Sequence, residues 1–351
     1  MTEKDLQFVI SVLKSEVPSG EPDWYAVMGF LFCHRVAGLF YNRAGRLGLE
    51  LPKKAEKILA DVFLRQKRKV LFLREAIGAI TDKLAETNTP YMLLKGSVLS
   101  HLSDAQKRIY EDGERLSDDI DLLVRPTEIA AVSRILHSLG FEQGTYILES
   151  DAIRPFSRTE IVKRRINRGE VAPFVKRTGD GAFPFVEADI NFSLGNTPSE
   201  GMELLDAMVS SATTVREKVT MRVAGPELFF LHLIMHQYKE SCLLFMTKRN
   251  KDLDLYKLAD IYYLLKTGVV DKQRLNEYIG TYRLAQPAGV VLGQVGEIFA
   301  DAEIMALAKT FVCETPAVVD YDNKKTYVWR ATLTERLCTL ATESFLEEIP
   351  Q

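Results

Sequence analysis

Two short stretches constrain the chain more than any other part of it: Leu94-Lys95-Gly96-Ser97, and then Ser117-Asp118-Asp119-Ile120-Asp121-Leu122-Leu123-Val124. The second reads as a strand. Side chains two apart on a strand point to the same face and sit roughly 6.6 Å apart along it. Asp119 and Asp121 therefore converge on one side. Two carboxylates so placed repel each other unless a cation lies between them, and such a pair can bracket two divalent ions about 3.5–4 Å apart. The first stretch reads as a buried strand, Tyr91–Leu94, running into a Gly-Ser bend that opens a helix over Ser97–Leu102. Glycine lets a backbone come close to a ligand, and amides at a helix start favour phosphate. Ser97 adds a hydroxyl donor, and Lys95 adds a cation beside the bend.

A third acid lies downstream. Residues Phe183–Leu194 alternate, with Glu187, Asp189, Asn191 and Ser193 on one face and Val186, Ala188, Ile190 and Phe192 on the other. Asp189 on that polar face can join Asp119 and Asp121, hold metal and draw a proton from an attacking hydroxyl. Glu187, one step earlier on the same face, is its rival. The bland alternative for all of these residues is a solvated strand edge; their order along the chain favours the joint site.

Composition bounds the rest. At 351 residues, 46% apolar and 26% charged, the chain has enough material for two domains and a buried core. A net charge of −3 and a pI near 6.1 argue against a general nucleic-acid binder. Cys33, Cys242, Cys313 and Cys338 are scattered without a CxxC pair and read as reduced thiols. The charged start lacks a secretory core, and the apolar stretch Ala26–Phe40 is broken by Cys33-His34-Arg35 and too short for a bilayer. The expectation is a cytoplasmic protein with no membrane segment.

Periodicity predicts helices over Asp5–Ser15, Trp24–Leu47 and Pro52–Asn88. A polar loop is expected over Asp104–Glu114, and a helix over Pro126–Gly140 with Thr127 as cap and Gly140 as stop. Further helices are expected over Glu227–Tyr238, Asp254–Lys266 and Lys272–Tyr282, short strands within Ala317–Trp329, and a last helix over Thr332–Phe345. The fold class is α+β: a small mixed sheet between helical flanks. Its divisions are an N-terminal helical region (1–89), a catalytic core (90–224) and a mainly helical C-terminal region (225–351).

The pattern Gly-Ser, Asp-x-Asp and a third acid on a neighbouring strand resembles the polymerase-β-type nucleotidyltransferase superfamily. More closely, Leu93-Leu94-Lys95-Gly96 and Arg115-Leu116-Ser117-Asp118-Asp119-Ile120-Asp121-Leu122-Leu123-Val124 resemble a bacterial family of uncharacterised nucleotidyltransferases. The likeness extends to the helical lead-in Trp24 to Asn88 and to Leu258-Ala259-Asp260-Ile261. It fades over 145–180 and after about residue 300. Where that family often carries acid-Leu-His-Trp, this chain has Asp189-Ile190-Asn191-Phe192, so Asn191 replaces the usual histidine. The interval from Ser97 to Asp119 is also longer than in the minimal pattern.

The resemblance implies transfer of a nucleoside monophosphate from a nucleoside triphosphate to a hydroxyl, with release of pyrophosphate. The acceptor would be a small molecule, a sugar-like metabolite or a protein. Asp119, Asp121 and Asp189 would hold two Mg²⁺ ions, with Mn²⁺ as the alternative; hard oxygen donors suit both. Gly96, Ser97, Lys95, Arg115 and Lys257 would contact the nucleotide. Two other readings stand beside it. One is an RNA acceptor gripped by the basic segment 154–177, a flap or solvated loop (Arg154, Arg158, Lys163, Arg164, Arg165, Arg168, Lys176, Arg177). The other is a nucleotide-binding scaffold without turnover. His232 and His236, one helical turn apart, read as packing or acceptor-side residues.

Overall fold

The computed structural model describes residues 1–104, 108–168, 171–195, 201–311, 313–314, 316–321, 323–339 and 342–349. Four helices lead: α1 (Glu3–Leu13), α2 (Trp24–Cys33), α3 (Ala37–Arg46) and α4 (Lys53–Glu86). The expected helix Trp24–Leu47 is two helices, because Arg35 takes φ 60° between them. That left-handed conformation cannot continue a right-handed helix. The long α4 buries Leu59, Val70, Leu73, Ile77, Ile80 and Leu84, a stripe at helical spacing.

The central region runs β1 (Met92–Leu93), α5 (Gly96–Leu99), β2 (Asp119–Leu123), α6 (Ile129–Ser138), β3 (Glu142–Ile147), β4 (Ala152–Pro155), α7 (Arg158–Arg168), β5 (Phe174–Arg177) and β6 (Phe185–Asn191). The six strands form one sheet in the order β1-β2-β6-β5-β3-β4. Only β2 and β6 pair in parallel; the other neighbours are antiparallel. The sheet is thus mixed, as the composition of motifs implied. Ile120 and Leu122 of β2, with Ala188 and Ile190 of β6, are fully buried on one face of this strand pair. That leaves Asp119, Asp121 and Asp189 together on the other.

Several expectations need correction. The helix after Gly96 is a single turn rather than a helix to Leu102. Thr127 does not cap α6: a 3-10 turn, Pro126–Glu128, precedes the helix, and the Thr127 hydroxyl donates to the Glu128 side chain (3.2 Å). Among its described residues, segment 154–177 is not a solvated loop. It supplies part of the β3–β4 hairpin, then α7, then β5. Its helix is so heavily charged that no apolar stripe marks it in the sequence.

The chain continues through α8 (Met202–Ser211), the hairpin β7 (Thr213–Arg216) and β8 (Thr220–Val223), and α9 (Pro226–Ser241), α10 (Leu244–Thr247), α11 (Leu255–Lys266), α12 (Lys272–Thr281), α13 (Ala285–Ile298) and α14 (Ala302–Ala308). A three-stranded sheet, β9 (Val318–Asp320), β10 (Lys325–Trp329) and β11 (Leu346–Glu348), frames α15 (Leu333–Cys338). The last helix therefore stops at Cys338, short of the expected Phe345. The two helical flanks meet: Tyr263 of α11 donates its hydroxyl to the Leu13 carbonyl (2.7 Å), and His34 hydrogen-bonds the Leu337 carbonyl (2.9 Å). All four cysteines are free thiols. Among the described residues, no helix is long and apolar enough to cross a membrane.

Candidate active site

Parallel pairing of β2 and β6 sets Asp121 opposite Asp189 and Asp119 opposite Glu187. One carboxylate oxygen from each of Asp119, Asp121 and Asp189 lies within 4.8 Å of the others. Three hard oxygen donors at that spacing fit a divalent cation such as Mg²⁺ or Mn²⁺. Asp121 is buried, at 3% exposed. Its Oδ1 accepts from Lys95 Nζ (2.9 Å) and Asn191 Nδ2 (3.3 Å). Its backbone N–H donates to Ser97 Oγ (3.0 Å). Asn191, the residue standing in place of the family's usual histidine, thus orients the Asp121 carboxylate. Where a carboxylate holds a metal, losing such an outer contact typically costs about 10- to 100-fold in affinity.

The glycine at 96 is required by its neighbours. A Cβ there would lie 2.3 Å from both Arg115 Nη1 and Ser117 Oγ. Lys95 before it adopts φ 47°, which aims its amine back at Asp121. Ser97 is buried, and its hydroxyl oxygen serves the Asp121 amide. With only one helical turn following, the macrodipole contributes little, and charged side chains must supply most of the attraction for phosphate.

Beside the acids lies a cleft of roughly 210 Å³. Lys95, Gly96, Arg115, Ser117, Asp119 and Asp121 line one side, and His236, Glu240, Asp254, Tyr256 and Lys257 from α9 and α11 line the other. Arg115 is bonded to Asp260 through Nε (2.9 Å) and Nη2 (2.7 Å) while its Nη1 donates to the Leu116 carbonyl (3.2 Å), and Tyr110 Oη also donates to Asp260 (2.8 Å). Lys257 is bonded to Glu240 and lies 3.0 Å from Asp254. His236 sits 3.6 Å from Glu240, while His232 stacks behind it in the core, 6.2 Å away. The structure therefore gathers Lys95, Gly96, Arg115 and Lys257 at the cleft, each cation already carrying a carboxylate. Sequence reasoning missed Arg35, Asp118, Glu240, Lys251, Asp254 and Tyr256, which also line it. The available signal was charge inside apolar helical stretches, where an unpaired ion is costly and so implies a partner or a role.

Crowding perturbs the acids. Burial, and then the nearby Asp121, push the Asp119 carboxyl up from 3.8 to about 6, against the pull of Lys95. Burial, and then Asp119, push Glu187 up from 4.5 to about 7, against Arg164 of α7. Burial would lower the Lys95 amine, but Asp121 and Asp119 outweigh it and hold the group protonated. Burial, with Lys95 and Lys257 nearby, keeps His236 neutral.

A glycine-serine bend beside a strand pair that converges three acids is the layout of a nucleotidyltransferase. Residues 20–300 match the model of the uncharacterised nucleotidyltransferase family, and the chain belongs to that family. No curated protein and no solved structure matches the chain.

Proposed function

We propose that the protein moves a nucleoside monophosphate from a nucleoside triphosphate to a hydroxyl of a small molecule, a sugar-like metabolite or a protein, in a Mg²⁺-dependent reaction that releases pyrophosphate. The observation that carries this reading is the approach of the three carboxylates to within 4.8 Å. Asp119, Asp121 and Asp189 hold the cations. When bound, Mg²⁺ supplies polarisation of the α-phosphate and neutralisation of the leaving group.

The chain's own residues do the remainder. Lys95 and Asn191 fix the Asp121 carboxylate, so that little reorganisation is needed as charge develops. Gly96 and Ser97 shape the bend that receives phosphate, and Lys95, Arg115 and Lys257 bias the cleft toward anions. Asp189, or Glu187 beside it, takes the proton of the attacking hydroxyl. A carboxyl raised to about 7 is well matched to proton transfer near neutrality. The acceptor approaches from the α9 side, where His236 offers a neutral imidazole.

A small or protein acceptor is favoured over RNA because much of the basic segment is already engaged. Arg154 pairs with Glu160, Arg177 with Asp151, and both Arg154 and Arg164 lie over the Phe156 ring. The test is incubation with α-labelled nucleoside triphosphates, Mg²⁺ and cell extract. Label should appear on one acceptor class with stoichiometric pyrophosphate release, and Asp119→Asn, Asp121→Asn and Asp189→Asn should each abolish it. Full labelling by any of the three variants overturns the mechanism.

A further inference from the structure

Every cation described so far at the cleft faces at least one carboxylate of its own: Lys95 faces Asp121, Arg115 faces Asp260, and Lys257 faces both Glu240 and Asp254. The balance reverses at the rim beside Asp118. This exposed acid precedes the first metal-facing aspartate and is bonded by two cations from the N-terminal helices, Arg35 at the α2–α3 break and Lys69 in the middle of α4. A third, Lys251, comes from the turn between α10 and α11 and lines the same cleft as Arg35 and Asp118. Lys251 is exposed, and among the described residues it has no ion-pair partner. Three cations from three distant segments thus gather about one carboxylate; Arg35 also faces the more distant Asp254, and Lys251 has no ion pair of its own among the described residues. Arg35, Asp118 and Lys251 all line the same cleft as Asp119 and Asp121. Arg35 and Arg115 also flank the Tyr256 ring, at 4.9 and 5.2 Å from its centre, which restricts where the Arg35 guanidinium can swing.

A cluster with surplus positive charge at the edge of an acidic floor separates two ends of a bound molecule. Cations go to the floor and polyanions to the rim. We propose that Arg35, Lys69 and Lys251 form the subsite for a pyrophosphoryl group, first the β- and γ-phosphates of the incoming nucleotide and then the leaving pyrophosphate, with Asp118 as a resident counter-ion that competes with those phosphates for the same three cations. The inference rests on the nucleotidyl-transfer reading and adds to it which groups bind the leaving half of the substrate. No bond changes at this subsite; it only holds charge.

The competition gives a sign that a purely structural ion cluster would not. Removing Asp118 should strengthen phosphate binding. Binding is measured by titration calorimetry on the full chain with three probes: inorganic pyrophosphate without metal, a non-hydrolysable nucleoside triphosphate with Mg²⁺, and the matching nucleoside monophosphate with Mg²⁺. Lys251→Gln and Arg35→Gln should each weaken pyrophosphate and the triphosphate by about tenfold, the worth of one charge-assisted hydrogen bond, and leave the monophosphate unchanged. Asp118→Asn should tighten both phosphate-rich probes several-fold, with its melting curve recorded to show that it folds. If it does not fold, Lys251→Gln, at an exposed position, carries the test alone. Equal loss for all three probes, no loss for any, or weaker binding by a folded Asp118→Asn overturns the proposal. The pyrophosphate arm is independent of turnover. If Asp119→Asn keeps transferring while Lys251→Gln still loses pyrophosphate, the transfer mechanism fails and this subsite stands; the opposite pattern removes the subsite alone.

Discussion

Gathering carboxylates without a cation has a cost that a melting curve can read. Burial and the neighbouring Asp121 hold Asp119 at about 6, against an ordinary 3.8. At 1.36 kcal/mol per pH unit, that shift is worth roughly 3 kcal/mol. Because the folded-state value is raised, the folded protein binds this proton more tightly than the unfolded chain does. The cost is absent below about pH 4, where both states are protonated, grows as pH rises toward 6, and is complete above it. Glu187, pushed up to about 7, adds in the same direction. A divalent cation at the acids relieves the repulsion, and protons compete with it. Mg²⁺ or Mn²⁺ should therefore raise the melting temperature by several degrees at about pH 8 and by almost nothing at about pH 5. Asp119→Asn removes the repulsion outright. In the absence of metal at about pH 8 it should melt higher than the native chain, by roughly 4 °C for a chain of this length, and should lose the metal-induced increment along with activity. A variant that is both more stable and inactive is the expected mark of a strained functional site. Equal metal increments at the two pH values, or a metal-free Asp119→Asn that melts below the native chain, would refute the reasoning.

Other expectations follow from the supports of the site. Gly96→Ala drives a methyl to 2.3 Å from Arg115 Nη1 and Ser117 Oγ; since Arg115 is anchored by Asp260, the clash should lower stability by about 1–3 kcal/mol in urea unfolding and distort the bend enough to suppress transfer. Asp260→Asn strands the buried Arg115 guanidinium and should cost about 3–5 kcal/mol, while the double replacement Arg115→Met with Asp260→Leu should recover most of it; a double variant no better than the single would show that charge is not the cause. Asn191→Leu removes one of the two side-chain donors to Asp121 and should weaken Mn²⁺ binding about 10- to 100-fold, measured by metal titration, with little change in melting temperature.

How much of this was visible in the sequence differs by the range of the physics involved. Strand alternation is a local, period-two signal: it put Asp119 and Asp121 on one face of their strand and Asp189 on the polar face of its own, whereas the coincidence of those two faces follows from the long-range β2–β6 pairing. The long helix α4 was legible for the same reason, through its period of three and four. The β3–β4 hairpin and α7 were not. Arg158–Arg168 is so dense in charge that no apolar stripe stands out, and its position depends on contacts such as Arg165 over the Phe192 ring. Segment Ala285–Ile298 is nearly all apolar and holds Pro287, so it lacks an amphipathic signature although it forms a buried helix. The cleft's far wall was equally hidden. Arg35 was visible only as an interruption in an apolar stretch, and it is that interruption, fixed by a left-handed backbone, that reaches Asp118.

The placement of these side chains along the chain explains the extent of the family match. The residues that line the cleft run from Arg35 to Lys257, and the matched span is 20–300. It opens just before α2, whose first turn is capped by Asp23, and it closes after α13, which packs behind α9 and α11. No described residue after 300 lines the cleft. That last region instead supports the cleft from outside: Leu337 offers its carbonyl to His34, next to Arg35, and Arg336 pairs with buried Asp252, next to Lys251 (2.9 Å). Both contacts fall one residue from a rim cation. The C-terminal segment therefore anchors the residues next to Arg35 and Lys251. Its loss should weaken triphosphate binding in the same way as Lys251→Gln does, while leaving Asp119, Asp121 and Asp189, which are placed by the β2–β6 pairing and by the Lys95 and Asn191 contacts, together as in the full chain.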